Sequence, residues 1–299
     1  MTTKLGITGG TGVYSLEGLN DVKEIEVDTP YGSPSSPITH GRFGEVEVFF
    51  IARHGRKHTI PPSAVPFRAN VFALKQLGVQ WMINVSAMGS LREEMRPGDF
   101  VIPDQIMDDT RHRIDTFFDK PGVVAHIAFA DPYCKVLSAA LYQACEEALK
   151  GTEHKAHMGG TCVVFDGPAF NARARSHTYR AWGCDTLSMT TLPEAKLARE
   201  AEIAYASIGM MTDYDCWREE TETVDAGMVA RVMKENAMHA KRALEILIPK
   251  LPSLAPSPYA SRALDAALLT DLANVSKQTL LEKWSLVARL CDERGVKRP

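Results

Sequence analysis

The sequence predicts an α/β protein in which helices pack in layers around a largely parallel β-sheet. Short apolar runs, typical of buried strands, alternate with longer segments of helical periodicity over most of the chain. Several of these strands end in small, basic or acidic residues, and open parallel sheets bind ligands at that edge. The 299 residues, 45% hydrophobic and 24% charged, are enough for one large α/β domain.

Composition narrows the possible functions. The formal net charge of −3 gives no reason to expect a nucleic-acid partner. The longest apolar runs fall short of the roughly 20 residues that cross a membrane, so no membrane span is expected. The six cysteines are widely spaced without a C-x-x-C pair, which favours reduced thiols over a disulfide frame or zinc site. The N-terminus leads directly into a strand and does not resemble a signal peptide.

The first strand, residues 5–8, runs into Gly9-Gly10-Thr11-Gly12. Glycines let the backbone turn tightly and bring N–H groups close to an anion, so a phosphate site is one interpretation. A simple tight turn is another. A dinucleotide fingerprint is a third, although its last glycine would fall at Ser15.

The strand at residues 46–51 is followed by a basic segment, residues 52–58, in which five of seven residues are Arg, Lys or His. Arginine offers a planar fork of donors that suits phosphate, so Arg53 and His54 are candidate anion ligands. A solvated basic turn is the alternative. A metal site is disfavoured, because Gly55 and Pro61-Pro62 argue against the helix that would bring His54 and His58 together.

Predicted strands and helices continue to alternate in the middle of the chain. Ser86–Ser90 follow one strand, and all but Met88 are small, which allows a ligand close to the backbone. Phe170 follows another strand and could stack on a flat ring or belong to the core. Residues 104–121 are polar and mixed, and are predicted to be a long loop. The predicted elements are helices at 66–77, 133–149 and 171–182, and strands at 79–85, 100–103, 160–165 and 185–189.

Met189 and Thr190 precede a predicted helix at residues 192–201. Thr191 and Glu194 have the spacing of a capping box. The N-terminus of that helix would then face Thr190 and favour an anion there.

Two aspartates, Asp213 and Asp215, follow a predicted buried strand at residues 203–209. On an extended backbone, residues i and i+2 point to the same side, so both carboxyl groups would face one pocket. Each would disfavour the ionisation of the other, and one would hold a proton near neutral pH. The alternative is a pair of solvated loop aspartates.

The last part of the chain is helical. A long helix is predicted at residues 225–248, and four prolines in residues 249–258 end it. Residues 253–299 are near neutral and amphipathic, with a helix at 280–290. The sequence therefore predicts one domain at residues 1–252 and a C-terminal helical extension at 253–299 that packs on it.

Taken together, the strand-end residues predict a site that holds phosphate at one end and a heterocycle at the other. Six motifs carry a more specific resemblance, in the same order along residues 4–250: Gly9-Gly-Thr-Gly12, Ala52-Arg-His-Gly-Arg-Lys-His58, Gly89-Ser-Leu-Arg92, Arg96-Pro-Gly-Asp99, Met189-Thr-Thr-Leu-Pro-Glu194 and Ala206-Ser-Ile through Thr212-Asp-Tyr-Asp-Cys-Trp217. These resemble the 5′-methylthioadenosine phosphorylases, a family within the trimeric branch of the purine nucleoside phosphorylases.

The resemblance implies a single domain with a twisted, barrel-like mixed sheet, assembled as a homotrimer in the cytoplasm, with the nucleus as a second location. It implies phosphate-dependent cleavage of 5′-methylthioadenosine, in purine and methionine salvage, with adenosine and 2′-deoxyadenosine as further candidate substrates. Inorganic phosphate would be the co-substrate, and no metal or organic cofactor is implied.

The resemblance also assigns roles. Phosphate would be bound by Thr11, Arg53, His54, Ser86, Ala87 and Thr190. Met189 would lie against the ribose, Phe170 near the base, and Asp213, Tyr214 and Asp215 at the adenine edge, with a protonated Asp213 donating to N7. The 5′-group pocket would involve Asn171, Ala226, Val229 and, lent by a neighbouring subunit, His126.

Ser188, Ala169, Asn171 and Ala226 depart from the pattern usual in the family, which bears on the breadth of substrates. Three alternatives remain: a phosphorylase of inosine and guanosine, whose relatives tend to carry Asn at the position of Asp213; a dinucleotide oxidoreductase; and a nucleotide-binding module without catalysis.

Overall fold

The structure is a computed structural model that describes residues 2–10, 16–218 and 226–299. It is a single-domain α/β fold with a mixed β-sheet flanked by helices, as predicted. Within the described residues the sheet has eleven strands. They are β1 Lys4–Gly9, β2 Asn20–Ile25, β3 Ile38–Phe43, β4 Val46–Ala52, β5 Trp81–Ser90, β6 Phe100–Ile102, β7 Gln105–Asp109, β8 Ala156–Met158, β9 Thr161–Phe165, β10 Thr186–Ser188 and β11 Ala204–Asp213.

The α-helices of the described residues lie on both faces of this sheet. They are α1 Phe67–Gln76, α2 Lys135–Leu149, α3 Arg173–Ala181, α4 Thr191–Glu200, α5 Ala226–Leu247, α6 Pro258–Ser261 and α7 Lys277–Glu293. Short 3₁₀ turns occur at Pro62–Ala64, Ile248–Ser253 and Leu272–Asn274.

Strand β5 is the centre of the sheet, and the sheet divides there. One edge of β5 pairs in parallel with β1 as far as Val85, and the same edge pairs antiparallel with β10 from Gly89. The opposite edge pairs in parallel with β11 along nearly its whole length. Strands β4, β3 and β2 continue outward from β1, strands β9 and β7 from β10, and strands β6 and β8 from β11.

Burial on both faces explains why the central strands are nearly continuous apolar runs. Every residue of β11 is buried. One face of the sheet packs against α1, α4 and α7 through residues such as Phe72, Leu197 and Val287. The other face packs against α2 and α5 through residues such as Leu141 and Leu244. The C-terminal helix α7 therefore contributes to the same core as α1 and α4.

Several predicted boundaries were wrong. The strand predicted to end at Val85 continues through Ser90, because β11 pairs with it beyond the point where β1 leaves. The predicted loop at 104–121 begins with strand β7, which is half exposed but pairs with β9 at the sheet edge. The hairpin of β2 and β3 was not predicted, since β2 is largely exposed and lacks an apolar run.

The predicted capping box at Thr191 and Glu194 is also wrong. The Thr191 hydroxyl donates to the Ser188 hydroxyl at 2.9 Å. The Glu194 carboxylate is fully buried and accepts hydrogen bonds from the side chains of Thr8 and Tyr205. Both side chains therefore form hydrogen bonds with other parts of the fold and do not cap the helix.

No helix in the described ranges is both long and apolar enough to span a membrane.

Candidate active site

A cavity of about 950 Å³ opens at the carboxyl ends of β1, β4, β10 and β11 and along the middle of β5. Eleven of the residues predicted from the sequence line it: Arg53, His54, Ser86, Ala87, Phe170, Met189, Thr190, Asp213, Asp215, Ala226 and Val229. The structure therefore brings together residues that lie more than 170 positions apart in the chain.

The division of the sheet creates this cavity. Between the pairing with β1, which ends at Val85, and the pairing with β10, which begins at Gly89, no described strand covers that edge of β5. Ser86, Ala87 and Met88 lie in this interval, and all three line the cavity. A ligand can therefore approach the backbone of β5 directly, at the centre of the sheet.

Basic and hydroxyl side chains gather at one end of the cavity. The Arg53 backbone N–H donates to the Gly9 carbonyl at 3.1 Å, which places Arg53 where β1 and β4 end together. The Arg53 guanidinium is only 2% exposed and donates to the Asn84 side chain and to the Val85 carbonyl. The hydroxyls of Ser86 and Thr190 are 3.5 Å apart. Such donors suit an oxyanion.

His54 adds a neutral imidazole to this end. Burial, reinforced by the charge of Arg53, lowers the pKa of His54 to about 4. Its Nδ1 donates to the Ile60 carbonyl at 2.8 Å, so in the neutral ring Nε2 is an acceptor. His54 can therefore accept a hydrogen bond from a protonated phosphate oxygen, in contrast to the donors around it.

Carboxyl groups lie at the opposite end. Asp213 is the last residue of β11 and is 7% exposed. Its Oδ1 accepts from the Asp215 N–H and its Oδ2 from the Thr212 hydroxyl, both at 2.7 Å. Burial raises the pKa of Asp213, and the charge of Asp215 acts in the same direction. Both influences disfavour the charged form of the Asp213 carboxyl group.

The predicted reason for the pairing of the two aspartates was wrong. Asp215 has a φ of 51°, which lies in the left-handed region, so Asp215 is not part of an extended strand. The chain turns sharply after Asp213, and the turn buries Asp215 to 2% exposure. Gly89 permits the close approach of β5, since a Cβ there would lie 3.0 Å from Asp213 Oδ1.

The two ends of the cavity lie three residues apart along β5. Ser86 belongs to the hydroxyl-rich end, and Gly89 lies beside Asp213. Three residues of a strand span roughly 10 Å.

Helix α5 forms one wall of the cavity. Ala226, Val229 and Met233 face the cavity at helical spacing. These three side chains are apolar, as are Phe170 and Met189, which also line the cavity, whereas Lys234 and Lys241 add two basic groups from α5. An apolar substituent between the polar ends would be accommodated here.

Four predicted residues are not among those that line the cavity. Thr11 lies outside the described residues. Tyr214 donates its hydroxyl to the Glu93 carbonyl at 3.2 Å. Asn171 donates to Asp215 Oδ2 at 3.3 Å and so contacts the carboxyl end indirectly. His126 is exposed, and its backbone N–H donates to the Ala267 carbonyl.

Sequence analysis missed Arg113. Its guanidinium donates to the carbonyls of Met189 at 2.8 Å and Leu192 at 2.7 Å, and it also bonds Ser63 and Asp166. It thereby joins three segments around the cavity. No local pattern could have revealed this, because Arg113 lies in a polar stretch with no distinguishing motif.

The fold therefore places donors suited to an oxyanion at one end of the cavity and carboxyl groups at the other. The model of the phosphorylase superfamily matches residues 4–249, and the chain belongs to that superfamily. This membership argues against the dinucleotide oxidoreductase.

Three similar proteins narrow the comparison. The S-methyl-5′-thioadenosine phosphorylase of Thermosynechococcus vestitus is 45% identical over 97% of this chain and 99% of its own. A methylthioadenosine phosphorylase from an antarctic soil metagenomic library has a TM-score of 0.90 at 39% identity, covering 96% of this chain and 99% of that one. A mutant adenosine/methylthioadenosine phosphorylase of Schistosoma mansoni, in complex with methylthioadenosine, has a TM-score of 0.77 at 36% identity, covering 85% and 93%.

Proposed function

We propose that the chain catalyses the phosphate-dependent cleavage of the N-glycosidic bond of 5′-methylthioadenosine, giving adenine and 5-methylthioribose 1-phosphate. The relatives carry this activity in their names. The observation that carries the proposal for this chain is the cavity itself, with Arg53, Ser86 and Thr190 at one end and the buried Asp213 at the other. The reaction belongs to purine and methionine salvage.

The proposed chemistry follows from the two ends. A phosphate oxygen attacks C1′ of the ribose while the bond from C1′ to the purine nitrogen breaks. Its electron pair remains on the base, which gathers negative charge. A protonated Asp213 donates to N7 and stabilises this leaving group. Arg53, Ser86 and Thr190 orient the phosphate. In this reaction inorganic phosphate is the co-substrate.

The carboxyl end also supports a preference for adenine. A carboxylate at Asp215 accepts a hydrogen bond from a 6-amino group, whereas a 6-oxopurine would present an acceptor to it. This disfavours the alternative activity on inosine and guanosine. The apolar wall of Ala226, Val229 and Met233 suits the methylthio group.

A direct assay tests this function. The protein is incubated with methylthioadenosine, adenosine and inosine, each with and without phosphate, and the free base is measured. We expect adenine release that requires phosphate, and little hypoxanthine. Equal release without phosphate would instead indicate a hydrolase. Comparison of methylthioadenosine with adenosine measures the contribution of the apolar wall.

We further propose that the chain acts as a homotrimer in the cytoplasm, with His126 lent to the 5′-group pocket of a neighbour. His126 is exposed and is not among the residues that line the cavity of its own chain, so it is available to a neighbouring subunit. Three chains of 32.9 kDa would give a particle of about 99 kDa in sedimentation equilibrium. A particle of 32.9 kDa with full activity would exclude the shared pocket.

A further inference from the structure

Glu194 is a buried carboxylate directly behind the basic end of the cavity. It lies in the first turn of α4, close after Thr190, and is fully buried. Its Oε1 accepts hydrogen bonds from the Thr8 hydroxyl and the Tyr205 hydroxyl, both at 3.0 Å. Its Oε2 has no hydrogen-bond partner within the described residues. One carboxylate oxygen is therefore fully hydrogen-bonded, and the other faces a neighbouring charge.

That neighbouring charge is Arg53. Glu194 Oε2 lies 3.9 Å from Arg53 Nη1, which is too long for a hydrogen bond but within the range of an ion pair. The two amino groups of Arg53 are already held by Asn84 and Val85. Loss of Glu194 would thus leave the guanidinium oriented but would remove its negative neighbour.

A buried cation needs a compensating charge, because desolvation of an unpaired ion is costly. While the cavity is empty, Glu194 is the acidic side chain that the described structure pairs with Arg53. When an anion arrives, the guanidinium is shared between two negative groups. Burial raises the pKa of Glu194, and the nearby charge of Arg53 opposes that shift.

We infer that Glu194 is the resident counter-ion of Arg53: it neutralises the guanidinium in the empty enzyme and competes with phosphate, so that phosphate binds reversibly. The inference rests on the proposed function for the identity of the anion. It makes Glu194 a positioning residue that acts through Arg53.

The test compares the wild type with Glu194→Gln and Glu200→Gln. Glutamine keeps the shape and an acceptor for Thr8 and Tyr205 but removes the charge. Glu200 is the matched control, a buried carboxylate on the same helix that bonds Thr116 and Phe117 instead. Thermal unfolding is measured with and without inorganic phosphate, and phosphate binding is measured by calorimetry.

We expect Glu194→Gln to lower the Tm of the phosphate-free protein. In saturating phosphate, we expect the difference in Tm between the variant and the wild type to be smaller. By linkage, its Kd for phosphate falls several-fold relative to the wild type. Glu200→Gln changes the Tm equally with and without phosphate and leaves the Kd unchanged. Should Glu194→Gln fail to fold, Tyr205→Phe is used instead. This variant removes one hydrogen-bond donor to the Glu194 carboxylate and so disfavours its charged form. The Kd of Tyr205→Phe for phosphate is expected to fall as well.

An unchanged or raised Kd in Glu194→Gln, or in Tyr205→Phe where that variant is used, would overturn the inference. Failure of the proposed function gives a different result, since the wild type itself would then show neither a phosphate-dependent Tm nor heat of phosphate binding.

Discussion

At the scale of single residues, Asp213 is the group on which the proposed chemistry depends most. It ends a fully buried strand, and both of its oxygens accept hydrogen bonds from the protein. The Thr212 hydroxyl has one hydrogen and two acceptors in reach, Asp213 Oδ2 and the Met88 carbonyl. When Thr212 donates to the Met88 carbonyl instead, Asp213 Oδ2 is left to carry the proton that the proposed reaction delivers to N7.

Replacing Asp213 tests its role as the acid. Asp213→Asn keeps the shape of the side chain but cannot transfer a proton to N7. We expect kcat/KM for phosphorolysis of methylthioadenosine to fall by about 10²-fold or more. Asp292→Asn, on the exposed side of α7, is expected to leave the rate unchanged. A rate for Asp213→Asn equal to that of this control would remove Asp213 from the mechanism.

At the scale of elements, the segment that follows β7 ties the cavity to the rest of the fold. Arg113 bonds backbone groups on the segments that carry Met189 and Asp166. Thr116 and Phe117 then bond Glu200 on α4, and Lys283 on α7 donates to the Phe117 carbonyl. This polar stretch is held in place by hydrogen bonds to its surroundings.

Arg113→Met tests whether this segment positions the cavity. Methionine retains much of the apolar length but loses the donors that join the three segments. We expect kcat/KM to fall by about 10²-fold, the effect of a misplacement of about 1 Å, with the fold retained in circular dichroism. Arg111→Met removes an exposed arginine of the same segment and should change kcat/KM little. Equal effects of the two variants would contradict the positioning role.

The docking of α7 gives a second test at this scale. Leu286 is 2% exposed within the core shared with α1, whereas Leu281 on the same helix is 46% exposed. We expect Leu286→Ala to lower the free energy of unfolding by about 2–5 kcal/mol, from lost burial and a cavity. Leu281→Ala should change it by about 0.5 kcal/mol or less. Chemical denaturation measures both, and similar small losses would mean that α7 is not part of the cooperative core.

At the scale of the whole molecule, Glu200 makes stability depend on pH. Burial raises the pKa of Glu200 from 4.5 to about 7, although hydrogen bonds from Phe117 and Thr116 oppose the shift. Because the folded pKa lies above the unfolded one, the stability from this group is fully present below about pH 4.5. It is lost as the pH rises to about 7, by about 3 kcal/mol in total.

Glu200→Gln isolates this contribution, since glutamine stays neutral at every pH. We expect the stability of the variant relative to the wild type to increase by about 3 kcal/mol as the pH rises through this window. Denaturation curves across the range measure the difference. A constant difference between the two proteins would show that Glu200 titrates normally.

Much of the site was predictable because its residues stand where strands end. Arg53 and His54 follow β4, Met189 and Thr190 follow β10, and Asp213 ends β11. These positions follow from local apolar runs and the residues after them. Arg113 and Glu194 were not predicted in their observed settings, because long-range contacts define those settings.

The sequence by itself determined the α/β class, the order of most elements and the chemical types at the two ends of the cavity. Local periodicity and residue chemistry are sufficient for these features. Only the tertiary structure decided that β1 and β10 share one edge of β5 and leave Ser86, Ala87 and Met88 uncovered between them. Strand pairing depends on partners far apart in the chain, so no local pattern specifies the gap in which the proposed substrate lies.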